Sequence, residues 1–408
     1  MLVDILFEKY GSPRIWLIIA LCAGAALFAS RWIYFKILRI AKAKNLVDNP
    51  DARKLQKQPV PVLGGIAAFF GVLAAVLLGS CCWNLGDIIP IILAMSIMLY
   101  VGAIDDTVGL SPLSRIVVES ITIIGLIYGS NCCVDGLQEM WGISQFSWWI
   151  AVPFTVFAGV GIINSINMID GVNGLSSGYC IVASILFGIC FLRTADYPNA
   201  LLAFSFGFAL IPFIFHNIFG SKSRMFIGDA GTMMMGIMTT WFVIRTLSSN
   251  SPAQYIGFRD RQNLIAFSLA VFSVPVFDTL RVMGMRIYNG KSPFQADKTH
   301  LHHMLLALNL SAVVISFVEV LIMLIITGGW LLSFKVFHLD IHWQLYIVLF
   351  LCVLLVWGPF YLIRRHLNKN SRTVRYINSL SNHWRTRYAK QWMRIKHWMD
   401  HPAEDCNN

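Results

Sequence analysis

Long apolar segments recur along the whole chain, and they limit the fold more than any other feature of the sequence. A transmembrane helix needs about 20 mostly apolar residues. Segments of this kind lie near residues 14–40, 63–83, 88–104, 115–131, 148–166, 175–193, 199–219, 228–247, 263–287, 311–334 and 344–363. Backbone groups inside a bilayer need hydrogen-bond partners within the protein, and helices provide them. The sequence therefore predicts an all-α fold, a polytopic integral membrane bundle with about eleven transmembrane helices.

Charged residues are scarce and unevenly distributed. They make up 13% of the chain, about half the share that is usual in soluble domains. Lys and Arg concentrate in the connections after the first, third, fifth, seventh and ninth segments, and again beyond the eleventh. The positive-inside rule then places the N-terminus outside and the C-terminus in the cytoplasm. Because this bias accounts for most of the net charge of +11, nucleic-acid binding is the weaker interpretation of that charge.

The chain divides into a membrane part, residues 1–364, and a basic, Trp-rich cytoplasmic tail, residues 365–408. In the tail, Trp384, Tyr388 and Trp392 recur at helical spacing, with basic residues on the other faces. This pattern predicts an amphipathic helix on the lipid surface, with a partner-protein surface as the alternative. Removal of the tail is expected to leave the chemistry of the membrane part intact.

The nine cysteines show no spacing typical of a metal site. Two pairs, Cys81–Cys82 and Cys132–Cys133, fall at predicted outward helix ends. A bridge between the two pairs stays open, and free buried thiols are the favoured interpretation.

The polar motifs all fall on the predicted cytoplasmic side. Asp105 and Asp106 end the third apolar segment, and three further motifs are "NSINMIDGVNGLSSG" (164–178), "SRMFIGDAGT" (223–232) and "KSPFQADKTHLHHM" (291–304). A transport pathway would instead place polar residues within the depth of the helices. The distribution therefore favours an enzyme with one water-borne and one lipid-borne substrate over a transporter or a structural membrane protein.

The adjacent carboxylates of Asp105 and Asp106 predict a cation site, since like charges near hydrocarbon need compensation. Mg²⁺ prefers oxygen ligands and commonly binds one or two carboxylates together with substrate phosphates. Asp229, between the glycines of "IGDAG", and Asp170, in "MIDGVNG", have the same character. A helix cap is the alternative for any one of these residues.

Three histidines, His300, His302 and His303, form the motif "HLHH". Their spacing differs from the i, i+4 pair of a helical zinc site, and no cysteine accompanies them. Phosphate contact or proton handling by at least one of them is therefore favoured, and the others are expected to orient the loop.

Taken together, "VGAIDDTVGLSP", "NSINMIDGVNGL", "FIGDAG" and "SPFQADKTHLHH" resemble the signature segments of the polyprenyl-phosphate N-acetylhexosamine-1-phosphate transferases, or glycosyltransferase family 4. The "HLHH" form after "SPFQADK" is similar to the WecA and TagO branch of that family. The resemblance implies transfer of an N-acetylhexosamine 1-phosphate, GlcNAc 1-phosphate above all, from a UDP-sugar to undecaprenyl phosphate, with release of UMP. Another UDP-HexNAc and UDP-MurNAc-pentapeptide are the alternative donors.

The resemblance also implies a setting for this reaction. It implies a bacterial inner membrane protein with its active site on the cytoplasmic face, working at the first membrane step of a cell-envelope polysaccharide. Mg²⁺ is the implied cofactor, with Mn²⁺ as a substitute. Homodimers occur in the family, so a homodimer is an expectation for this chain.

Residue by residue, the resemblance implies roles that extend those drawn from the chemistry. The implied metal ligands are Asp229, Asn167 and Asp106. The implied catalytic residues are Asp105, Asp106, Asp170, His300, His302 and His303. For Asp105, positioning and organisation of the metal are favoured over base catalysis, because a phosphate monoester is already mostly dianionic at neutral pH.

The implied substrate-binding residues contact different parts of the two substrates. Phe226 matches a position that stacks on uracil, and Asn173 matches the position that reads its edge, where many bacterial relatives have Asp. Arg115 matches a phosphate-binding position, and Lys54 is expected to meet the lipid phosphate. The remaining members of the set are Asn164, Gly171, Asp297 and Lys298, of which the last replaces an Arg of the bacterial pattern.

Overall fold

The computed structural model describes residues 12–48, 58–254, 262–293, 297–369 and 371–404. Helices dominate this part of the chain, and its strands are two short ones, β1 (Val47–Asp48) and β2 (Val60–Pro61), which pair antiparallel. The all-α, polytopic membrane fold is confirmed.

The helices of the described residues are numbered here in chain order. They are α1 (Pro13–Ala43), α2 (Gly64–Gly79), α3 (Ile89–Val108), α4 (Pro112–Ser130), α5 (Trp148–Met168), α6 (Leu175–Arg193), α7 (Tyr197–Phe219), α8 (Gly228–Leu247), α9 (Leu264–Val271), α10 (Ser273–Tyr288), α11 (Leu301–Ala307), α12 (Ala312–Lys335), α13 (Ile341–Cys352), α14 (Gly358–Asn368), α15 (Arg372–Arg387) and α16 (Ala389–Glu404). A widened π turn, Val353–Trp357, joins α13 to α14. Pro359 at the start of α14 cannot donate a helical hydrogen bond, which accounts for this local widening.

Eight helical stretches within the described residues are long and apolar enough to cross a membrane, or nine if α9 and α10 form one bent span. Each of the eleven predicted apolar segments is helical, but α2 is only 16 residues long and α8 is not among the eight. The count of eleven is therefore not confirmed.

The sequence predicted one helix for the ninth apolar segment, and this prediction is wrong. The segment breaks at Phe272 into α9 and α10, which meet at 75°. Pro275 lies in the first turn of α10, where its missing N–H costs no helical hydrogen bond, whereas its ring would clash with a continuous helix. Composition over a window of residues cannot reveal such a break.

The first turn of α8 lies at the centre of the bundle, in close contact with α3. A Cβ atom at Gly102 of α3 would lie 2.4 Å from the carbonyl oxygen of Asp229. Gly228 has a φ of +73°, which a residue with a side chain rarely adopts. These two glycines allow the helices to approach closely and set the position of the residues that follow.

The segment before α8 is held by the short sheet. The backbone N–H of Phe226 donates to the carbonyl oxygen of Pro61 at 2.8 Å, and Gly64 donates to the carbonyl oxygen of Phe226 at 2.9 Å. Phe226 is thereby fixed next to the start of α2.

The tail is helical, but the one amphipathic helix that its periodicity predicted is broken at Tyr388 into α15 and α16. Helix α16 packs on α7. The rings of Phe219 and Trp392 stack with centroids 5.3 Å apart. Trp384 and Trp398 are exposed, and their predicted contact with lipid stays a prediction.

The cysteines are unbridged throughout the described ranges, and Cys81, Cys82, Cys132 and Cys133 are free thiols. The favoured interpretation of free thiols therefore holds, although Cys81 and Cys82 are exposed rather than buried.

Candidate active site

A cavity of about 700 Å³ lies where α3 and α5 end and α8 begins. The structure brings residues of four separate motifs together in its wall. Nine of the predicted site residues line it: Asp105, Asp106, Asn167, Asp170, Gly171, Asn173, Phe226, Asp229 and His303.

Asp106 caps the start of α8 from the neighbouring helix α3. Its Oδ1 accepts a hydrogen bond from the backbone N–H of Asp229 at 2.8 Å, and its Oδ2 accepts one from Ala230 at 3.1 Å. N–H groups in the first turn of a helix have no partner inside the helix. The positive end of α8 also stabilises the carboxylate. Asp106 thus joins two helices, and its metal binding stays a prediction.

Asp105 pairs with a cation. Its Oδ2 lies 3.0 Å from Nη1 of Arg115, and its Oδ1 accepts from the backbone N–H of Leu110 at 2.6 Å. Nη2 of Arg115 lies 4.0 Å from Oδ1 of Asp229. Arg115 therefore compensates carboxylates from two helices, and the like charges of Asp105 and Asp106 each have a separate partner.

Asp229 extends into the cavity with its side chain one-third exposed. Its Oδ1 accepts from the Asn167 amide at 2.6 Å, and the same amide lies 2.7 Å from the hydroxyl of Thr232. Carboxylate and amide oxygens are ligands that Mg²⁺ accepts. Within the described residues, no three His, Cys, Asp or Glu side chains form a metal cage of their own. The donor set therefore fits a magnesium ion that completes its coordination with water and substrate phosphates.

Asp170 lies in the connection between α5 and α6. Burial, and after it the charges of Asp229 and Asp106, outweigh a hydrogen bond from Ser176 and raise the pKa of Asp170 to about 7. This carboxyl group therefore takes up a proton more readily than an exposed aspartate does. The sequence analysis did not predict this property, which depends on how the loop is buried.

The three histidines have different surroundings. His303 lines the cavity. His302 is buried against Gly171, where a Cβ atom would lie 2.5 Å from its Nε2. Nδ1 of His300 lies 2.8 Å from Oδ2 of Asp278. Burial, followed by nearby positive charge, lowers the pKa of His302 and of His303, so both rings are neutral at pH 7. His303 is the histidine placed to contact a ligand.

Two ion pairs hold the start of α11, where these histidines lie. Asp278 pairs with Arg281 at 2.6 Å and accepts a hydrogen bond from the backbone of Leu301. Asp297 pairs with Arg286 at 3.0 Å and accepts from the hydroxyl of Thr299 at 2.6 Å. Burial raises the pKa of Asp297, but the hydrogen bonds from Arg286 and Thr299 outweigh it and lower the pKa to about 2.

The other predicted substrate-binding residues that the structure describes are not in the cavity wall. The Asn164 amide donates to Oε2 of Glu119 at 2.6 Å, away from the cavity. Arg115 pairs with Asp105, and Asp297 pairs with Arg286. Lys298 is exposed. Lys54 lies outside the described residues. Their contacts with substrate stay predictions.

The structure adds residues that the sequence analysis did not select. Arg224, Asp48, Asn217 and Thr232 also line the cavity. Arg224 and Thr232 lie inside the quoted motif 223–232, so proximity to Asp229 was the available signal. Asp278, Arg281 and Arg286 could have been selected because they are charged residues inside an apolar segment, where ionisable residues are costly.

Comparisons with known proteins agree with this geometry. Residues 88–247 match the family model described as glycosyl transferase family 4. The undecaprenyl-phosphate alpha-N-acetylglucosaminyl 1-phosphate transferase of Escherichia coli O157:H7 is 27% identical over 83% of this chain and 89% of that protein. The protein of the same name in Yersinia pestis is 28% identical over 71% of this chain and 75% of that protein. The decaprenyl-phosphate N-acetylglucosaminephosphotransferase of Mycolicibacterium smegmatis is 29% identical over 68% of this chain and 72% of that protein.

The matched region contains most of the cavity, since Asp105, Asp106, Asp170 and Asp229 all fall between residues 88 and 247. The histidine loop lies beyond it, within a part of the chain that the family model does not cover. The resemblance to glycosyl transferase family 4 that the sequence motifs predicted is confirmed.

Proposed function

We propose that this chain transfers GlcNAc 1-phosphate from UDP-GlcNAc to undecaprenyl phosphate, which gives undecaprenyl-diphospho-GlcNAc and UMP. The observation that carries this proposal is one cavity at one end of the helical bundle, where Asp105, Asp106, Asp170 and Asp229 converge. Such a cavity is open to a water-borne nucleotide and lies next to a lipid-borne acceptor. The names of the relatives support the acceptor and the sugar.

The same proposal includes an orientation of the chain in the membrane. The Lys and Arg distribution supports an N-terminus outside, a cytoplasmic C-terminus and an active site on the cytoplasmic face of a bacterial inner membrane. All eleven apolar helices then belong to the membrane part, with α2 and the bent pair packed inside the bundle. Residues 1–364 form the transferase domain in this account, and a homodimer is its expected assembly.

Mg²⁺, or Mn²⁺ in its place, would be held by Asp229 and Asn167, with Asp106 next to them, and would neutralise charge on the diphosphate. The protein supplies the rest by position and charge, as phosphoryl transfer requires. Arg115 is held by Asp105 and lies beside Asp229, so a second positive charge is fixed at the site.

A strong base is not needed to activate the acceptor. A phosphate monoester has a second pKa near 6 and is mostly dianionic at neutral pH. Oδ1 of Asp105 accepts a hydrogen bond from Leu110, and Oδ2 forms an ion pair with Arg115. This arrangement supports a positioning role for Asp105 and leaves the acceptor phosphate itself as the nucleophile.

The uridine is expected at the side of the cavity formed by Phe226 and Asn173. An aromatic ring stacks on a base, and an amide both donates and accepts hydrogen bonds, as the edge of uracil requires. His303 lines the same cavity and is expected to contact phosphate.

The test is UMP release by the purified full chain in detergent, with undecaprenyl phosphate, Mg²⁺ and a panel of UDP-sugars. We expect release with UDP-GlcNAc and none without the acceptor. Release with another UDP-HexNAc or with UDP-MurNAc-pentapeptide alone would keep the reaction class and overturn the choice of sugar. No release with any donor from folded protein would overturn the reaction and favour a transporter.

A further inference from the structure

The loop between α7 and α8, residues 220–227, supplies two side chains to the cavity wall, Arg224 and Phe226. Several parts of the chain hold this loop. The hydroxyl of Tyr34 in α1 donates to the carbonyl oxygen of Ser223 at 2.8 Å, and the Asn217 amide donates to that of Met225 at 3.0 Å. The position of Arg224 therefore depends on contacts made outside the loop.

The strongest of these contacts comes from the tail. Oδ1 of Asp400 in α16 accepts hydrogen bonds from the backbone N–H groups of Ser221 and Ser223, both at 2.9 Å, and from the Ser223 hydroxyl at 2.8 Å. Asp400 is 7% exposed, so water competes little for these bonds. Burial alone would raise the pKa of Asp400, but the backbone donors outweigh it and keep the carboxylate ionised. Hydrogen bonds to a charged acceptor are stronger than neutral ones.

Arg224 has the chemistry of a phosphate ligand. Among the described residues that line the cavity, it is the one Arg or Lys, and it faces a wall rich in carboxylates. Its Nε is buried and has no hydrogen-bond partner within the described ranges. Asp400 is also close enough to interact electrostatically with it. Arg224 lines a nucleotide-sized cavity, and the fork of guanidinium donors matches the bidentate geometry of a phosphate group.

We infer that Arg224 binds a phosphate of the UDP-sugar, and that Asp400 is a positioning residue that holds the Arg224 loop from the tail. The tail helix α16 is then part of the working active site, contrary to the expectation from sequence that the tail is dispensable. This inference rests on the proposed function for the identity of the substrate. The hydrogen bonds by which Asp400 holds the loop do not depend on the proposed function.

The first experiment measures that hold directly, by hydrogen exchange of the full chain in detergent. Asp400→Ala removes the acceptor, Asp400→Asn keeps one oxygen that accepts, and Lys390→Gln is the control, since Lys390 is exposed on the same helix. We expect the 221–223 amides to exchange at least about tenfold faster in Asp400→Ala, less so in Asp400→Asn and unchanged in Lys390→Gln. Unchanged exchange in Asp400→Ala would overturn the positioning role.

The second experiment measures the affinity for UDP-GlcNAc by calorimetry and, in parallel, kcat and KM for UMP release. We expect Arg224→Gln and Asp400→Ala each to weaken binding and raise KM about tenfold, with kcat within about threefold of wild type. Arg224→Lys and Asp400→Asn should recover part of the affinity. Normal affinity in Arg224→Gln would overturn the phosphate contact.

These readouts separate the inference from the proposed function. A wild-type chain that binds UDP-GlcNAc but releases no UMP would overturn the proposed reaction. The affinities of the variants would then still show whether Arg224 binds a phosphate. A wild-type chain that binds no UDP-GlcNAc would overturn the Arg224 contact. In both cases the hydrogen-exchange result still shows whether Asp400 holds the loop in place.

Discussion

The two adjacent carboxylates at the end of α3 have different partners. Asp105 faces Arg115, and Asp106 faces the first N–H groups of α8. The sequence predicted that their repulsion needs compensation, and it pointed to a metal. The structure shows a guanidinium and a helix N-terminus in that role, and Asp229 keeps a side chain that is one-third exposed to the cavity.

Replacement of Asp105 tests whether it positions or acts as a base. In Asp105→Asn, the ion pair with Arg115 is lost, and we expect the rate of UMP release to fall about 100-fold at every pH, as for the loss of one charge-stabilising contact. The measurement is the pH–rate profile of the variant and of wild type. A loss that is largest at low pH and recovers as the pH rises would support base catalysis instead.

The pair of Asp297 and Arg286 predicts an acid-sensitive loop. The pKa of Asp297 falls from 3.8 to about 2 in the folded chain, so the pair stabilises the fold fully above about pH 4 and loses its effect as the pH falls toward 2. We expect Asp297→Asn to lower the melting temperature at pH 7 and to differ little from wild type near pH 2. A difference between the two proteins that is the same at both pH values would contradict this account.

Part of the site could be read from the sequence because its residues lie within compact motifs. Asp105, Asp170, Asp229 and His303 are examples, and all four line the cavity. Asp400 could not be found this way, because its partners lie about 180 residues away and nothing in the local sequence records such a contact. Its role follows only once α16 is packed on α7.

At the scale of single helices, the contact between α3 and α8 determines the geometry of the acid cluster. A Cβ atom at Gly102 would lie 2.4 Å from the Asp229 carbonyl oxygen and 2.5 Å from Ala230. Gly102→Ala therefore forces the helices apart, and we expect a destabilisation of about 1–3 kcal/mol together with a loss of most UMP release.

Gly125→Ala in α4 is the matched control, since a Cβ atom there meets nothing within 4 Å. We expect this control to keep wild-type activity and melting temperature. If Gly102→Ala also keeps both, the close contact between α3 and α8 does not set the site.

The helices themselves followed from the apolar segments, but their shapes did not. Apolar content predicted each of the eleven helical segments and missed the 75° break at Phe272. It also could not distinguish α8, which is buried along almost its whole length, from the lipid-facing helices. Both properties depend on packing between helices rather than on hydrophobicity along one of them.

For the whole molecule, the distribution of polar residues was the most informative feature of the sequence. It predicted one polar face, and the structure gathers four of the predicted acidic residues into one cavity at one end of the bundle. The orientation of that face toward the cytoplasm rests on the Lys and Arg distribution. Arg224 and Phe226 reach the same cavity on a loop that a tail helix holds.

The most direct test of the central claim is UMP release from UDP-GlcNAc and undecaprenyl phosphate by wild type, Asp229→Asn and Asp87→Asn. Asp87 is exposed in the short helix before α3 and lies outside the cavity wall, so it controls for the loss of a carboxylate. We expect a loss of at least about 1,000-fold in Asp229→Asn, at any Mg²⁺ concentration, and wild-type release in Asp87→Asn. Wild-type release by folded Asp229→Asn would contradict the assignment of this cavity as the active site.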